Sequence, residues 1–250
     1  MSSILKVLTY NIHKGFSVGN MRFVLHQIRE HLQHLDADLV FLQEILGAHS
    51  KHAQTISDWP AATQLEFLAD KLWQHHAYAK NAIYADGHHG NAILSRYPII
   101  SWENINVSSM KFASRSFLHG IIHIPHLQRK VHVICVHFDL FEHHRKRQIN
   151  ILSERIHSHI PSDEPLIIAG DFNDWRGRAS GYFAENLNLQ EAFKTQHGNY
   201  ARSFPAWFPT LPVDRIYYRG IQPIKAELLK DRGWKKLSDH MPLYAEFELV

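Results

Sequence analysis

The chain carries a single cysteine, Cys135, in 250 residues. That excludes an internal disulfide and any thiolate metal cage. The cysteine lies in the apolar run Val131-His132-Val133-Ile134-Cys135-Val136, where a small buried core residue is expected rather than a nucleophile. Long apolar runs are also missing. No uncharged stretch approaches the ~20 residues needed to cross a bilayer, so no transmembrane segment is expected. The opening Met1-Ser2-Ser3-Ile4-Leu5-Lys6 lacks a charged segment followed by an apolar one, and a cytoplasmic protein is expected, with a peripheral membrane role left open. There is no Gly-x-Ser-x-Gly elbow, which sets aside an acyl hydrolase built on that turn. With no repeat, low-complexity segment or linker, residues 1–250 are expected to form one domain, acting as a monomer.

Charge of either sign is in short excess. The formal charge is +3 and the sequence pI near 8.9, which suits an anionic substrate without establishing nucleic-acid binding. Arg145-Lys146-Arg147 is the one tight basic cluster and reads as a solvated helix face. A 45% hydrophobic and 20% charged composition is that of an ordinary globular protein. Histidine is abundant, at 21 residues. No single site uses so many, so position relative to strand ends has to sort them.

Hydrophobic periodicity predicts a strand over 5–10, an amphipathic helix over 21–35, a short buried strand over 38–42, a loop over 47–63 and a helix over 65–73. The period then becomes two, with strands expected over 77–84, 91–95, 99–107, 116–124 and 130–136. Helical spacing returns over 143–160. A strand over 166–169, a helix over 181–187, an aromatic and proline-rich loop over 204–212, and strands over 213–218, 221–229 and 242–249 complete the chain. Many short strands with interspersed helices suggest two packed sheets with helices outside.

The polar residues gather at the ends of these strands. The first strand ends at Asn11 and the second at Glu44. The strand through Cys135 ends at His137, and Ile167-Ile168-Ala169 runs through Gly170 into Asp171-Phe172-Asn173-Asp174-Trp175. A later strand begins at Asp214, and Ser238-Asp239-His240 precedes the last. Each residue has an ordinary explanation, since Asn and Asp are common turn residues. Together they fit less well with chance. Glu44 is the sharpest case, because an exposed turn after so apolar a strand would favour Gly or Asn. Hard oxygen donors of this kind suit magnesium or calcium.

Tyr10-Asn11, Leu42-Gln43-Glu44, Gly90-Asn91-Ala92-Ile93-Leu94-Ser95, Val136-His137, Gly170-Asp171-Phe172-Asn173, Val213-Asp214-Arg215-Ile216 and Ser238-Asp239-His240 occur in this order. The set resembles the endonuclease/exonuclease/phosphatase superfamily, the DNase-I-like metal phosphodiesterases, over about residues 5 to 248. Asn11-Ile12-His13-Lys14-Gly15 is similar to its small bacterial branch. The resemblance implies an α/β fold, a four-layer α/β/β/α sandwich of two mixed sheets flanked by helices. It implies Mg²⁺ or Mn²⁺ held chiefly by Glu44, helped by Asn11 and Asp239. Asp171 and Asn173 would orient or deprotonate the attacking water. His240 would contact the scissile phosphate, oriented by Asp214, and His137 would bind a phosphate oxygen.

The expected activity is therefore divalent-metal-dependent hydrolysis of a phosphodiester or phosphomonoester. The expected partner is a phosphate-ester substrate, either nucleic acid or a phospholipid or inositol-phosphate headgroup. The rival is a catalytically weak or inactive phosphate-ligand binding protein that keeps the fold, which loss of site residues would signal; every expected position is filled. The sequence departs from family DNases at Tyr84-Ala85-Asp86-Gly87-His88-His89-Gly90, which offers no glutamate to pair the middle histidine. Arg115 reads equally as a source of positive charge at the site or an ordinary strand-edge arginine. A nucleic-acid enzyme would need a basic, aromatic rim, for which Arg145, Lys146, Arg147, Arg202, Trp207 and Phe208 are candidates. A lipid enzyme would expose apolar side chains beside the site, for which Phe204-Pro205-Ala206-Trp207-Phe208-Pro209 is the candidate; otherwise that stretch is a packed loop. Asp174 and Trp175 read as turn and packing residues.

Overall fold

The computed structural model describes residues 3–108, 114–231 and 233–249. Two six-stranded sheets face one another. The first contains β1 (Ser3–Asn11), β2 (Leu39–His49), β3 (His75–Tyr84), β4 (Gly87–Ser95), β11 (Gln222–Leu228) and β12 (Leu243–Leu249), in the order β11-β12-β1-β2-β4-β3. The second contains β5 (Ile99–Asn106), β6 (Ser116–Ile124), β7 (Arg129–His137), β8 (Leu166–Asp171), β9 (Gln190–Glu191) and β10 (Asp214–Arg219), in the order β5-β6-β7-β8-β10-β9. The helices are α1 (Leu25–Leu35), α2 (Ser50–Thr55), α3 (Gln64–Ala69), α4 (Glu142–His159), α5 (Arg178–Leu187) and α6 (Ala192–His197).

Alternation along the central strands explains the layers. On β1, Leu5 and Val7 face the second sheet, while Leu8 and Tyr10 face α1 and α3. On β8, Ile167 and Ala169 point inward, and Leu166 and Ile168 point toward α4 and α5. Strands buried on both faces read as continuous apolar runs, which is why they were visible in the sequence. β1–β2 and β7–β8 are the parallel pairs at the centre of each sheet. This is the four-layer α/β/β/α sandwich of two mixed sheets that the resemblance implied.

Several boundaries differ from expectation. α1 begins at Leu25 rather than 21, because Phe16 and Phe23 bridge antiparallel with their rings 5.4 Å apart. The stretch expected as a loop from residue 47 starts as strand, since β4 reaches back to Gly87 and pairs it with His49; α2 follows. α5 starts three residues early, at Arg178, and Asp174 Oδ2 accepts the Ala179 N–H at 2.8 Å. β9 and α6 were not anticipated. Each is too short to display a period. Cys135 is buried, and burial pushes its thiol up to about 12. Among the described residues no helix is long and apolar enough to cross a membrane.

Candidate active site

Strand register brings the first site residues together. In the second sheet Asp214 of β10 pairs with Asp171 of β8, which pairs with His137 of β7. Gly170 makes this row possible. Its φ is +148°, and a Cβ there would sit 2.0 Å from the Val136 carbonyl oxygen, so no other residue fits ahead of Asp171. Just beyond, Asn173 adopts φ 49°, donates its backbone N–H to Asp171 Oδ1 at 2.9 Å, and donates Nδ2 to the Phe138 carbonyl at 3.0 Å.

His240 enters from the loop before β12. Its Nδ1 lies 2.9 Å from Asp214 Oδ2, and its Nε2 lies 3.8 Å from Asp171 Oδ2. Asp214 Oδ2 also accepts the Ser203 hydroxyl. Ser238 anchors the loop by donating to the Asn11 carbonyl at 2.7 Å and accepting the His240 backbone N–H at 3.2 Å. His137 Nε2 stands 3.5 Å from Asp171 Oδ2. Donor atoms of Asp171, Asp214 and His240 all lie within 4.8 Å of one another. The hydrogen bond between His240 and Asp214 makes this an oriented imidazole–carboxylate pair rather than an open ion cage.

The first sheet supplies the opposite wall. Leu42 pairs with Ala92 and Ile45 with Gly90, so Gln43 and Glu44 together oppose Asn91 alone. The extra residue is a β-bulge, and bulges re-aim side chains. Glu44 takes φ 56° there and turns into the pocket. Lys14, itself at φ 60°, places Nζ 3.7 Å from Glu44 Oε2, and His13 Nδ1 lies 3.3 Å from Asp239 Oδ1. Asn11 sits behind the pocket. Its Oδ1 accepts the His13 backbone N–H at 3.1 Å, and its Nδ2 donates to Asp171 Oδ2 across the sheets at 3.4 Å.

Burial sets the protonation states. It would depress His240, but Asp214, with Asp171 and Asp239, raises it to about 10. Burial raises Asp171 against the pull of His240, with Asp214 adding to the rise. Burial would also raise Glu44, yet His137, Lys14, His13 and His240 hold it down at about 2. His137 is itself pushed far below its ordinary value by burial and by Arg115.

Glu44, His137, Asp171, Asn173, Asp239 and His240 line one pocket, while Asn11 and Asp214 stand behind it. Arg115 and Phe204, both offered by the sequence as candidates beside the site, line the pocket; Leu140, Trp175, Leu211 and Val213 complete the wall and were not anticipated there. Trp175, expected to pack, is exposed, with the Arg145 guanidinium 5.3 Å from its ring. Arg145, expected on a solvated face, is buried and bonds the Asp139 and Leu140 carbonyls. The chain turns tightly at Lys14-Gly15, where Gly15 has φ +81°, and the approach of Lys14 to Glu44 depends on the bulge, which the sequence did not reveal.

Comparison with known proteins agrees with this architecture. The profile described as Endonuclease/Exonuclease/phosphatase family matches residues 8–240. The chain belongs to that family. It is 45% identical over 244 residues to the uncharacterized protein YbhP of Escherichia coli K12, covering 98% of this chain and 96% of that one. Among solved structures, an endonuclease/exonuclease/phosphatase from Beutenbergia cavernae superposes with a TM-score of 0.77 at 18% identity, covering 98% of this chain and 72% of that chain. A mannosyl-6-phosphatase from Bacteroides thetaiotaomicron gives 0.73 at 18% identity, over 97% and 99%. D. rerio TDP2, in complex with a single-strand DNA product, gives 0.72 at 18% identity, over 98% and 99%. At these identities the structural likenesses establish the fold shared within the endonuclease/exonuclease/phosphatase family.

Proposed function

We propose that this family member hydrolyses a phosphate ester by attack of water on phosphorus, with the pocket between the two sheets as its active site. The observation that carries the proposal is the Asp214–His240–Asp171 arrangement, an imidazole held by one buried carboxylate and facing a second. Solved relatives of this fold include a sugar-phosphate phosphatase and a protein with a bound DNA product, so phosphate-ester chemistry supports the reading without fixing the substrate. On this reading the chain acts as one catalytic domain.

Asp171, its carboxyl raised by burial, takes a proton from the attacking water, a role that favours a base with pKa near the working pH. Asn173 helps place that water. The water oxygen bonds to phosphorus, the bond from phosphorus to the ester oxygen breaks, and the departing oxygen takes a proton, with His240 Nε2 as the donor. Asp214 fixes the imidazole so that Nε2 faces the substrate. Arg115 and His137 contact phosphate oxygens from the second sheet.

The donor set fits a hard cation. Glu44 and Asp239 offer carboxylates and Asn11 an amide oxygen, and the Lys14 ammonium standing by Glu44 supports reading this corner as one that takes positive charge. These three residues would hold Mg²⁺ or Mn²⁺. When bound, the ion neutralises charge on the non-bridging phosphate oxygens. In metal-supplemented buffer, hydrolysis of bis-p-nitrophenyl phosphate should show a kcat several orders of magnitude lower for His240→Ala, with little change in thermal midpoint. A large loss of stability with kcat intact would assign His240 a structural role and overturn the proposal.

A further inference from the structure

We propose that the apolar side chains around the pocket mouth dock on an anionic phospholipid surface, which presents a lipid headgroup phosphate to the pocket; this rests on the phosphoesterase reading of that pocket. Leu140, Trp175, Phe204 and Leu211 line the pocket itself, beside its acidic floor. A ligand whose phosphate reaches Asp171 must therefore lie against apolar groups. The segments that carry these residues bear further exposed apolar side chains. Leu140 and Phe141 are consecutive in the turn between β7 and α4, and Trp207 and Phe208 are consecutive in the loop before β10. These four are between 55% and 67% exposed. Grouped exposure of large apolar residues marks an interaction surface.

The supporting loops are held in place. Buried Arg145 bonds the Asp139 and Leu140 carbonyls and reaches the Trp175 ring. The loop that carries Trp207 and Phe208 is closed by Leu211 N–H to the Phe204 carbonyl at 2.8 Å. It is tied to the catalytic segment by Ala206 N–H to the Asp239 carbonyl at 2.7 Å and Met241 N–H to the Ser203 carbonyl at 2.9 Å. A partner on Trp207 and Phe208 is thereby coupled in position to His240.

Charge on the same segments complements an anionic surface. Lys146, Arg147, Arg176 and Arg202 are exposed. Asp139 and Asp174 are buried, and Glu142 is paired with Lys146 and Arg178. Basic residues flanking Trp, Phe and Leu are the composition that binds at the headgroup boundary of anionic bilayers. A single nucleic-acid strand would need free aromatic faces for its bases. Of the side chains that line the pocket here, Leu140 and Leu211 offer no ring, and the Trp175 ring already carries the Arg145 guanidinium 5.3 Å from its centre.

The test is flotation of the full chain, in EDTA, with vesicles of phosphatidylcholine carrying about 30% phosphatidylglycerol, beside pure phosphatidylcholine vesicles and a fluorescent oligothymidylate. The wild type should float with the anionic vesicles, and the Trp207→Ser/Phe208→Ser double variant should bind them at least about tenfold more weakly. Its turnover of soluble bis-p-nitrophenyl phosphate should stay unchanged. No flotation, undiminished flotation of the double variant, or equal flotation with both vesicle types would overturn the proposal. So would oligothymidylate binding that exceeds vesicle binding and is lost in the double variant. Because binding is read in EDTA and turnover separately, loss of docking and loss of the phosphoesterase reading give different results.

Discussion

Replacing Gly170 with alanine tests the link between backbone geometry and the site. The added Cβ would meet the Val136 carbonyl oxygen at 2.0 Å and its carbonyl carbon at 2.9 Å, in a ladder where Val136 and Gly170 are paired. Relief requires β7 and β8 to separate by more than an ångström or Gly170 to abandon φ +148°. Overpacking of this kind costs about 1–3 kcal/mol, and a strained φ a further ~1–3 kcal/mol. The sum, about 2–5 kcal/mol after partial relaxation, lowers the thermal midpoint by roughly 5–15 °C for a chain of this length. His137 and Asp171 are the next pair along the ladder, so the same shift misaligns them. Thermal unfolding followed by circular dichroism, with phosphodiester turnover at 25 °C, reads both effects. A midpoint within about a degree of wild type would refute the close-approach account of Gly170.

Glu44→Ala should abolish hydrolysis in Mg²⁺ or Mn²⁺ with the fold intact, and weaken Mn²⁺ binding at least about tenfold, as followed by the electron paramagnetic resonance of free Mn²⁺. Undiminished Mn²⁺ affinity would remove Glu44 from the ligand set. Away from the site, burial, Arg155 and His132 push His119 down to about 3, and Arg155 Nε donates to its Nδ1 at 3.0 Å. Since the unfolded histidine binds its proton near 6.5, the stabilisation is complete above that pH and is lost as pH falls toward 3. The slope is about 1.4 kcal/mol per pH unit for this group. Urea midpoints between pH 7 and pH 4 should fall less steeply for His119→Gln, and an unchanged slope would contradict the assignment.

The strands that carry the site were legible because they are buried on both faces, so that apolar runs such as Ile167-Ile168-Ala169 stop abruptly where the chain turns polar. What those ends do together was less visible. The row Asp214–Asp171–His137 depends on strand order, which joins β10 to β8 and β8 to β7 across long sequence separations. The aim of Glu44 depends on a bulge opposite Asn91, and because β2 is buried on both faces there, no alternation exists in which the one-residue phase shift could show. α6, with Ala192 and Phe193 as its buried residues, is too short to show a helical stripe. Trp175 looked like a packing residue because bulky aromatics usually are. Its place on the pocket wall follows from the turn that Asp174 closes with its bond to Ala179.

The most direct test of the account is the turnover of bis-p-nitrophenyl phosphate by Asp171→Asn beside wild type in saturating Mg²⁺, with thermal midpoints measured on the same preparations. Asparagine keeps the shape and can still accept the Asn173 backbone N–H but cannot take the proton of the attacking water. The account predicts a kcat lower by about 10²–10⁴-fold, the usual contribution of a general base, at a similar midpoint. A kcat equal to wild type would contradict it.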